Sequence, residues 1–478
     1  MDTYSKLGIL AESARYDAAC TSSGVDRGAV SGRVGTTRAA GCCHAFTSDG
    51  RCITLLKVLM SNACSYDCAY CVNRRSASCP RATFAPRELA ELTVDFYKRN
   101  YIEGLFLSSG VLGTPDETCE RMVECLRVLR QDLLFNGYVH AKVIPGTSPE
   151  LVERLGRLAD RLSVNLELPS SSSLTALCPD KDACGITRPM AQIRRGRDEE
   201  ELRLKEASGH GGGRSRGPSR PLGPCAAAPA AQASPGDAAH GPGSPLALGQ
   251  EAGAPRLSSR RSRVSPSKRT FAPAGQSTQL IVGASPESDD QILRLSWSLY
   301  EKYDLKRIFF SAYMPMLEDD RLPEPGTPVP LRREHRLYQA DWLMRYYDFK
   351  PGELTSTEEP WLDLDLDPKL AWALRHIGLF PVEVNEAPLE TLLRVPGIGP
   401  VGARRIVRAR RSGILGFEDL GRLKVVLKRA RPFLTCNGAT ARGLPLDADL
   451  IRRKAVEDAR ESSYNRARRQ AEGQLSLF

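Results

Sequence analysis

ITLLKVLMSNACSYDCAYC (53–71) is the stretch from which the rest of the chain can be read. Its first part, ITLLKVLM (53–60), is a short apolar run of the kind that forms a buried strand. Cys64, Cys68 and Cys71 follow at once, spaced three and two residues apart. In a parallel α/β fold the loops at the carboxyl ends of the strands form the reactive face, and this run places the three thiols there. Three thiolates so close can hold three corners of a cubane iron–sulfur cluster and leave the fourth iron open, unlike the four-cysteine sets of electron-transfer clusters. Two other sets compete. A zinc site would need a fourth ligand from Cys52, Cys79 or His44. Cys79 precedes Pro80, as the last ligand of a bacterial ferredoxin precedes a proline, and would complete a four-cysteine cluster.

Outward from this stretch, five more apolar runs read as strands: GLFLSS (104–109), YVHAKVI (138–144), LSVNLEL (162–168), QLIVGA (279–284) and RIFFSAY (307–313). Between most of them lie segments with apolar residues at three- and four-residue spacing, such as PRELAELTVDFYKRN and SPELVERLGRLAD. Strand–helix alternation of this length predicts a parallel sheet covered by helices. The expected class is α/β, a partial (β/α)6 TIM-like barrel over residues 53–192 and 271–350, after an N-terminal extension at 1–52. Residues 193–270 are rich in Gly, Pro and Arg and poor in aromatic residues. They are predicted to be a disordered insertion, because they bury too little surface to offset their ordering entropy.

The C-terminal part reads differently. VNEAPLETLLRVPGIGPVGARRIVRARR (384–411) has an apolar helix, a Gly-Ile-Gly turn and a second helix. It is similar to the helix–hairpin–helix motif of DNA repair and processing proteins. Gly397, Ile398 and Gly399 would form the turn, Gly402 the close packing, and Arg404 and Arg405 the phosphate contacts at the start of the second helix. Ten Lys or Arg and two acidic residues lie between Arg404 and Arg431, which suits backbone contact without base readout. Residues 361–436 are therefore expected to be a small all-α DNA-binding domain. The tail at 437–478 ends in Gln474, Leu475, Ser476, Leu477 and Phe478, which looks like the peptide that binds the bacterial DNA polymerase sliding clamp.

CxxxCxxC with Tyr70 before its last cysteine, after the first strand of a β/α series, resembles the radical S-adenosylmethionine superfamily. The resemblance implies a [4Fe-4S] cluster on Cys64, Cys68 and Cys71 whose open iron is chelated by S-adenosylmethionine, and a 5′-deoxyadenosyl radical released by one-electron cleavage. It also implies cofactor contacts from Tyr70, from the turn Ser108-Ser109-Gly110, which stands where the family often has Gly-Gly-Glu, and from Lys142, Asn165, Glu167 and Gln276. Cys178 and Cys184 are candidate hydrogen-atom donors, and Cys20, Cys42, Cys43 and Cys52 a candidate auxiliary cluster. Outside the insertion the chain resembles the bacterial branch assigned to DNA modification or repair, through KLGILAESARYDAAC (6–20), FAPAGQSTQLIVGAS (271–285) and LYQADWLMRYYDF (337–349).

The 478 residues carry a formal charge of +10, which fits an anionic partner such as DNA. The start lacks the basic and long apolar regions of a signal peptide. No window has the roughly 18 apolar residues of a membrane span. A cytoplasmic protein is expected, with its 14 cysteines as ligands or buried thiols and not a disulfide framework. An electron donor such as flavodoxin or ferredoxin would serve the cluster. An RNA-modifying radical enzyme, or a DNA-binding protein with a structural cluster, are the alternatives.

Overall fold

Alternation along the strands determines which face of the sheet meets the helices. The structure is a computed structural model that describes residues 1–14, 42–46, 52–207, 270–441 and 445–460, with backbone alone at 42–46 and 52–53. One sheet runs in chain order: β1 (Cys42–Phe46), β2 (Cys52–Leu59), β3 (Gly104–Ser108), β4 (Tyr138–Lys142), β5 (Arg161–Ser163), β6 (Gly275–Val282) and β7 (Arg307–Ala312). The six strands β2 to β7 are parallel and curl into a half-barrel. These are the six runs read from the sequence. β1, which was not expected, pairs antiparallel with β2 at the outer edge.

Helices α1 (Thr3–Ser13), α2 (Pro86–Lys98), α3 (Pro115–Arg127), α4 (Pro149–Leu158), α5 (Ser171–Leu177), α6 (Ala183–Ala207), α7 (Asp289–Tyr303) and α8 (Leu331–Tyr346) accompany the sheet. Capping boxes at Thr114 and Ser288, each with acidic residues in the first turn, start α3 and α7. Leu56, Val58, Leu105, Leu107, Val139, Ala141, Leu162, Val164, Leu280 and Val282 are all buried and make the layer between sheet and helices. The alternate positions are largely polar. Lys57, Ser108, His140, Lys142, Ser163, Ser277 and Gln279 point into the half-barrel.

The first part of the expected insertion is helical. Residues 193–207 are the end of α6, because Met190 and Ile193 are buried and Arg194–Asp198 and Glu201–Lys205 pair one turn apart. The rest of that insertion, 208–269, lies outside the described residues, as do Cys20 and the terminal 474–478 peptide. The backbone does not gather the other N-terminal cysteines. Register sets Cys52 opposite Phe46 and Cys42 opposite Leu56, so Cys42 and Cys52 stand four residues apart along the ladder, about 13 Å.

After the half-barrel come α9 (Pro351–Leu354), α10 (Pro368–Arg375), β8 (Val382–Glu383), α11 (Leu389–Arg394), α12 (Pro400–Ala409), α13 (Phe417–Arg422), α14 (Leu427–Ala430), β9 (Leu434–Cys436) and β10 (Ala439–Thr440), then a helix at 448–460. This part is not all-α: β8, β9 and β10 form a small sheet. Its cause is a turn signal that was overlooked. Asn437 and Gly438 both take positive φ (53° and 73°), as an Asn-Gly hairpin turn requires, and their N–H groups donate to the Glu383 carboxylate. Among the described residues no helix is long and apolar enough to cross a membrane.

Candidate functional site

The cysteine loop leaves β2 at its carboxyl end and is fastened on three sides. Towards β3, Ser65 N–H donates to the Val111 carbonyl (2.8 Å) and Ser65 Oγ to that of Gly113 (3.0 Å). Towards the turn after α5, Ala69 N–H donates to the Leu177 carbonyl (2.8 Å) and Asp67 N–H to the Asp180 carboxylate (2.8 Å). Towards the segment after β7, Arg74 reaches Asp319 (3.4 Å). Arg81 organises the loop from within. Its guanidinium donates to the carbonyls of Asn62, Asn73 (2.8 Å), Arg74 (2.7 Å) and Ala77 (2.9 Å). These four carbonyls have no strand or helix partner, so one fork of donors satisfies a whole irregular loop.

All three cysteines are free thiols, with Cys68 buried and the other two half-buried. Two sulfurs already accept backbone N–H groups, Cys64 from Val111 (3.3 Å) and Cys71 from Asn73 (3.4 Å). Such bonds to sulfur favour its charged form and tune bound clusters. Without metal, burial pushes the Cys71 thiol up to about 12. Contact with Cys178 raises the Cys68 thiol and lowers that of Cys178. Cys178 Sγ also lies 3.0 Å from the Tyr70 hydroxyl, which burial holds well above its usual range.

Several of the residues singled out from the sequence meet here. The turn Ser108-Ser109-Gly110 lies directly against Cys64. Gly110 donates to the Ser61 carbonyl (2.7 Å), and a Cβ on it would come within 3.2 Å of the Cys64 Cβ. Lys142 and Glu167 form a buried ion pair (3.6 Å), and Asn165 donates to Gln279 (3.0 Å). Glu167 takes φ +67°, which breaks strand alternation and aims its carboxylate beside the cysteine loop. Gln276 is a correction. Its amide donates to the carbonyls of Met190 (3.0 Å) and Tyr303 (2.7 Å), so it faces the helices, one position out of phase with the interior residue Gln279. Cys184 is disulfide-bonded and has no thiol hydrogen to give.

Sequence reasoning missed Lys181. Its ammonium is largely buried and lies 3.6 Å from the same Glu167 oxygen that Lys142 approaches. Burial opposes the charge, but Glu167 and the thiols of Cys68, Cys178 and Cys71 outweigh it and hold the ammonium above its usual range. Two ammoniums against one carboxylate leave a positive charge beside the thiols, the sign that suits thiolates or an anionic ligand. Nothing local marks this lysine, which sits in the polar turn CPDKD (178–182).

Among the described residues no three His, Cys, Asp or Glu side chains converge tightly enough to hold a single metal ion. Sulfurs on one zinc would lie about 3.8 Å apart, given Zn–S bonds of about 2.3 Å. Ligands of a cubane sit on separate irons and stand wider. Three free thiols on one loop, two of them already accepting backbone N–H groups, are the donor chemistry of an iron–sulfur cluster.

The Gly-Ile-Gly turn joins α11 to α12. Gly397 takes φ +85°, and a Cβ there would meet the Val426 carbonyl at 2.7 Å. Val426 N–H in turn donates to the Gly397 carbonyl (3.0 Å), so the α13–α14 pair braces the turn. Ile398 and Gly402 are buried, while Arg404 and Arg405 are exposed in the second turn of α12 and not at its start. Gly397 and Gly399 reach the surface in part.

No family model matches this chain, and no curated protein matches it. Among solved structures it is similar to the crystal structure of HydG, a maturase of the [FeFe]-hydrogenase, at 12% identity and a TM-score of 0.35, over 60% of this chain and 48% of that one. It is also similar to the X-ray structure of the FeFe-hydrogenase maturase HydG from Carboxydothermus hydrogenoformans, at 10% identity and a TM-score of 0.34, over 60% of this chain and 50% of that one. The chain thus spans about half the length of these proteins.

Proposed function

We propose that the chain is a radical S-adenosylmethionine enzyme that modifies or repairs DNA. One observation carries the reading: three free thiols on one loop at the carboxyl end of β2, opening onto a polar half-barrel interior. Cys64, Cys68 and Cys71 are the ligands of a [4Fe-4S] cluster. When bound there, the cluster supplies the electron that splits the sulfonium of S-adenosylmethionine and leaves a 5′-deoxyadenosyl radical.

The chain's own groups set the surroundings. Lys142 and Lys181, both paired with Glu167, supply positive charge near the cysteine loop, the sign that would suit the carboxylate of a methionine moiety, and the Ser108–Gly110 turn offers backbone and hydroxyl groups next to Cys64. Asn165, fixed by Gln279, and Glu167 stand further along the rim. DNA is the substrate class through the Gly397–Gly399 turn, whose α12 N–H groups would take a phosphate with Arg404 and Arg405 beside them. A base reacting inside the half-barrel would have to leave the stack. The 474–478 peptide would bring the enzyme to the sliding clamp, and flavodoxin or ferredoxin would deliver the electron.

Anaerobic reconstitution tests this. The expected result is release of 5′-deoxyadenosine and a new or missing nucleoside, by mass spectrometry, in treated DNA but not treated RNA. A chain that carries iron yet never cleaves S-adenosylmethionine would end the proposal.

A further inference from the structure

The last turns of α8 face the Gly397–Gly399 turn across a cleft of about 750 Å3. Trp342 and Tyr346 form the α8 wall, 52% and 45% exposed, with ring centroids 4.2 Å apart. Single exposed aromatics are ordinary. Two in contact, their planes inclined by 41°, on the wall of a concave site, are an aromatic surface left open to solvent. Arg307, Arg345, Lys424 and Arg429 also line the cleft, against the carboxylates Asp341 and Asp367, a net charge of about +2 from those six. Both carboxylates are already engaged, Asp341 by the Tyr300 hydroxyl (2.5 Å) and Asp367 by Arg429. Lys369 donates to the Ile398 carbonyl (2.6 Å) and so fixes the turn from beneath.

A flat ring face framed by cations and glycine backbone selects a ligand with planar rings and phosphates. Base–aromatic stacking tolerates any base, because each has a π face, and the cations follow the backbone. A duplex keeps its ring faces inside the stack, so the occupant is unpaired. Position separates this cleft from the reactive end. Arg307 opens β7 at its amino end, and the cysteine loop lies at the carboxyl ends, about 20 Å away for a strand of this length.

We propose that this cleft holds an unpaired DNA nucleotide away from the reacting one, its base on Trp342 and Tyr346 and its phosphates on Lys424, Arg429 and the hairpin turn. The inference rests on DNA being the substrate. It makes the enzyme one that needs an opened or single-stranded region beside its target.

The test titrates the full-length chain with a thymidine dodecanucleotide, a twelve-base-pair duplex and a uridine dodecanucleotide, reading tryptophan emission and anisotropy. The thymidine strand should quench emission. Trp342→Phe should abolish most of that quench and keep the affinity. Trp342→Ala with Tyr346→Ala should lower affinity for the thymidine strand by roughly tenfold or more, with duplex affinity changed less than about twofold. Unchanged affinity in the double variant, or tighter binding of the uridine strand, would overturn the proposal. Duplex binding without binding of the thymidine strand removes only the cleft assignment. Binding of no nucleic acid removes the DNA substrate as well.

Discussion

Cys178 carries the sharpest question at the scale of single residues, because a fourth ligand would close the iron that must stay open. A sulfur in hydrogen-bonding contact with Cys68 stands too near to hold a different corner of the same cubane, so its place is that of a partner to a ligand. Cys178→Ala should retain about the wild-type iron content and a paramagnetic resonance signal that shifts on adding S-adenosylmethionine, whereas Cys68→Ala should lose the cluster. Loss of iron in Cys178→Ala would favour the structural cluster instead. Glu167 gives a second expectation. Removing a carboxylate that pairs two buried ammoniums leaves both uncompensated, so Glu167→Ala should cost about 3–5 kcal/mol in urea unfolding. The three thiols of the loop after β2 were legible in the sequence because their spacing is local. Cys178, Lys181 and Arg81 were not, since their roles exist only through contacts that the fold creates; Tyr70 and Cys178 meet across 108 residues.

At the scale of elements, the glycine turn separates two roles that the sequence had treated as one. Gly397 is held by its left-handed backbone and by the Val426 carbonyl, so Gly397→Ala should destabilise the hairpin by about 1–2 kcal/mol whatever it does to DNA. Gly399 has ordinary φ and only the Tyr347 hydroxyl near a new Cβ, at 3.5 Å. Gly399→Ala should therefore fold normally and weaken duplex binding in anisotropy; unaltered affinity would take the phosphate away from this turn. Beneath it, burial pulls the Lys369 amine down to about 7, with Asp367 opposing, Arg429 and Arg394 assisting, and the Tyr347 ring 4.6 Å away. Between about 7 and its ordinary 10.5 the unfolded chain holds more protons than the folded one, so stability should rise with pH across that window and level off below it. Lys369→Met should flatten the rise, measured as urea midpoints near about pH 6.5 and about pH 9.5. Gln276 shows where alternation alone failed. It locates two faces, but only register against β5 and the contacts of α6 and α7 tell which face is inside.

Across the whole molecule, the six β/α units were legible because each repeats one local pattern, and the small C-terminal sheet was missed because two of its strands are two residues long. Thr270 and Phe271 N–H groups donate to the Glu200 carboxylate (2.8 and 3.0 Å), so the chain re-enters the half-barrel beside the helix from which it departs. Replacing 208–269 with a short Gly/Ser linker should leave the melting temperature and iron content unchanged; a lower melting point would show that the insertion braces the fold. Arg81 has a last consequence. Because a cation of the chain itself holds four carbonyls of the cysteine loop, the shape of that loop does not rest on a metal, unlike that of small zinc domains that unfold when stripped. On the proposed function, oxidative loss of the inorganic part would leave the polypeptide ready to be recharged in place.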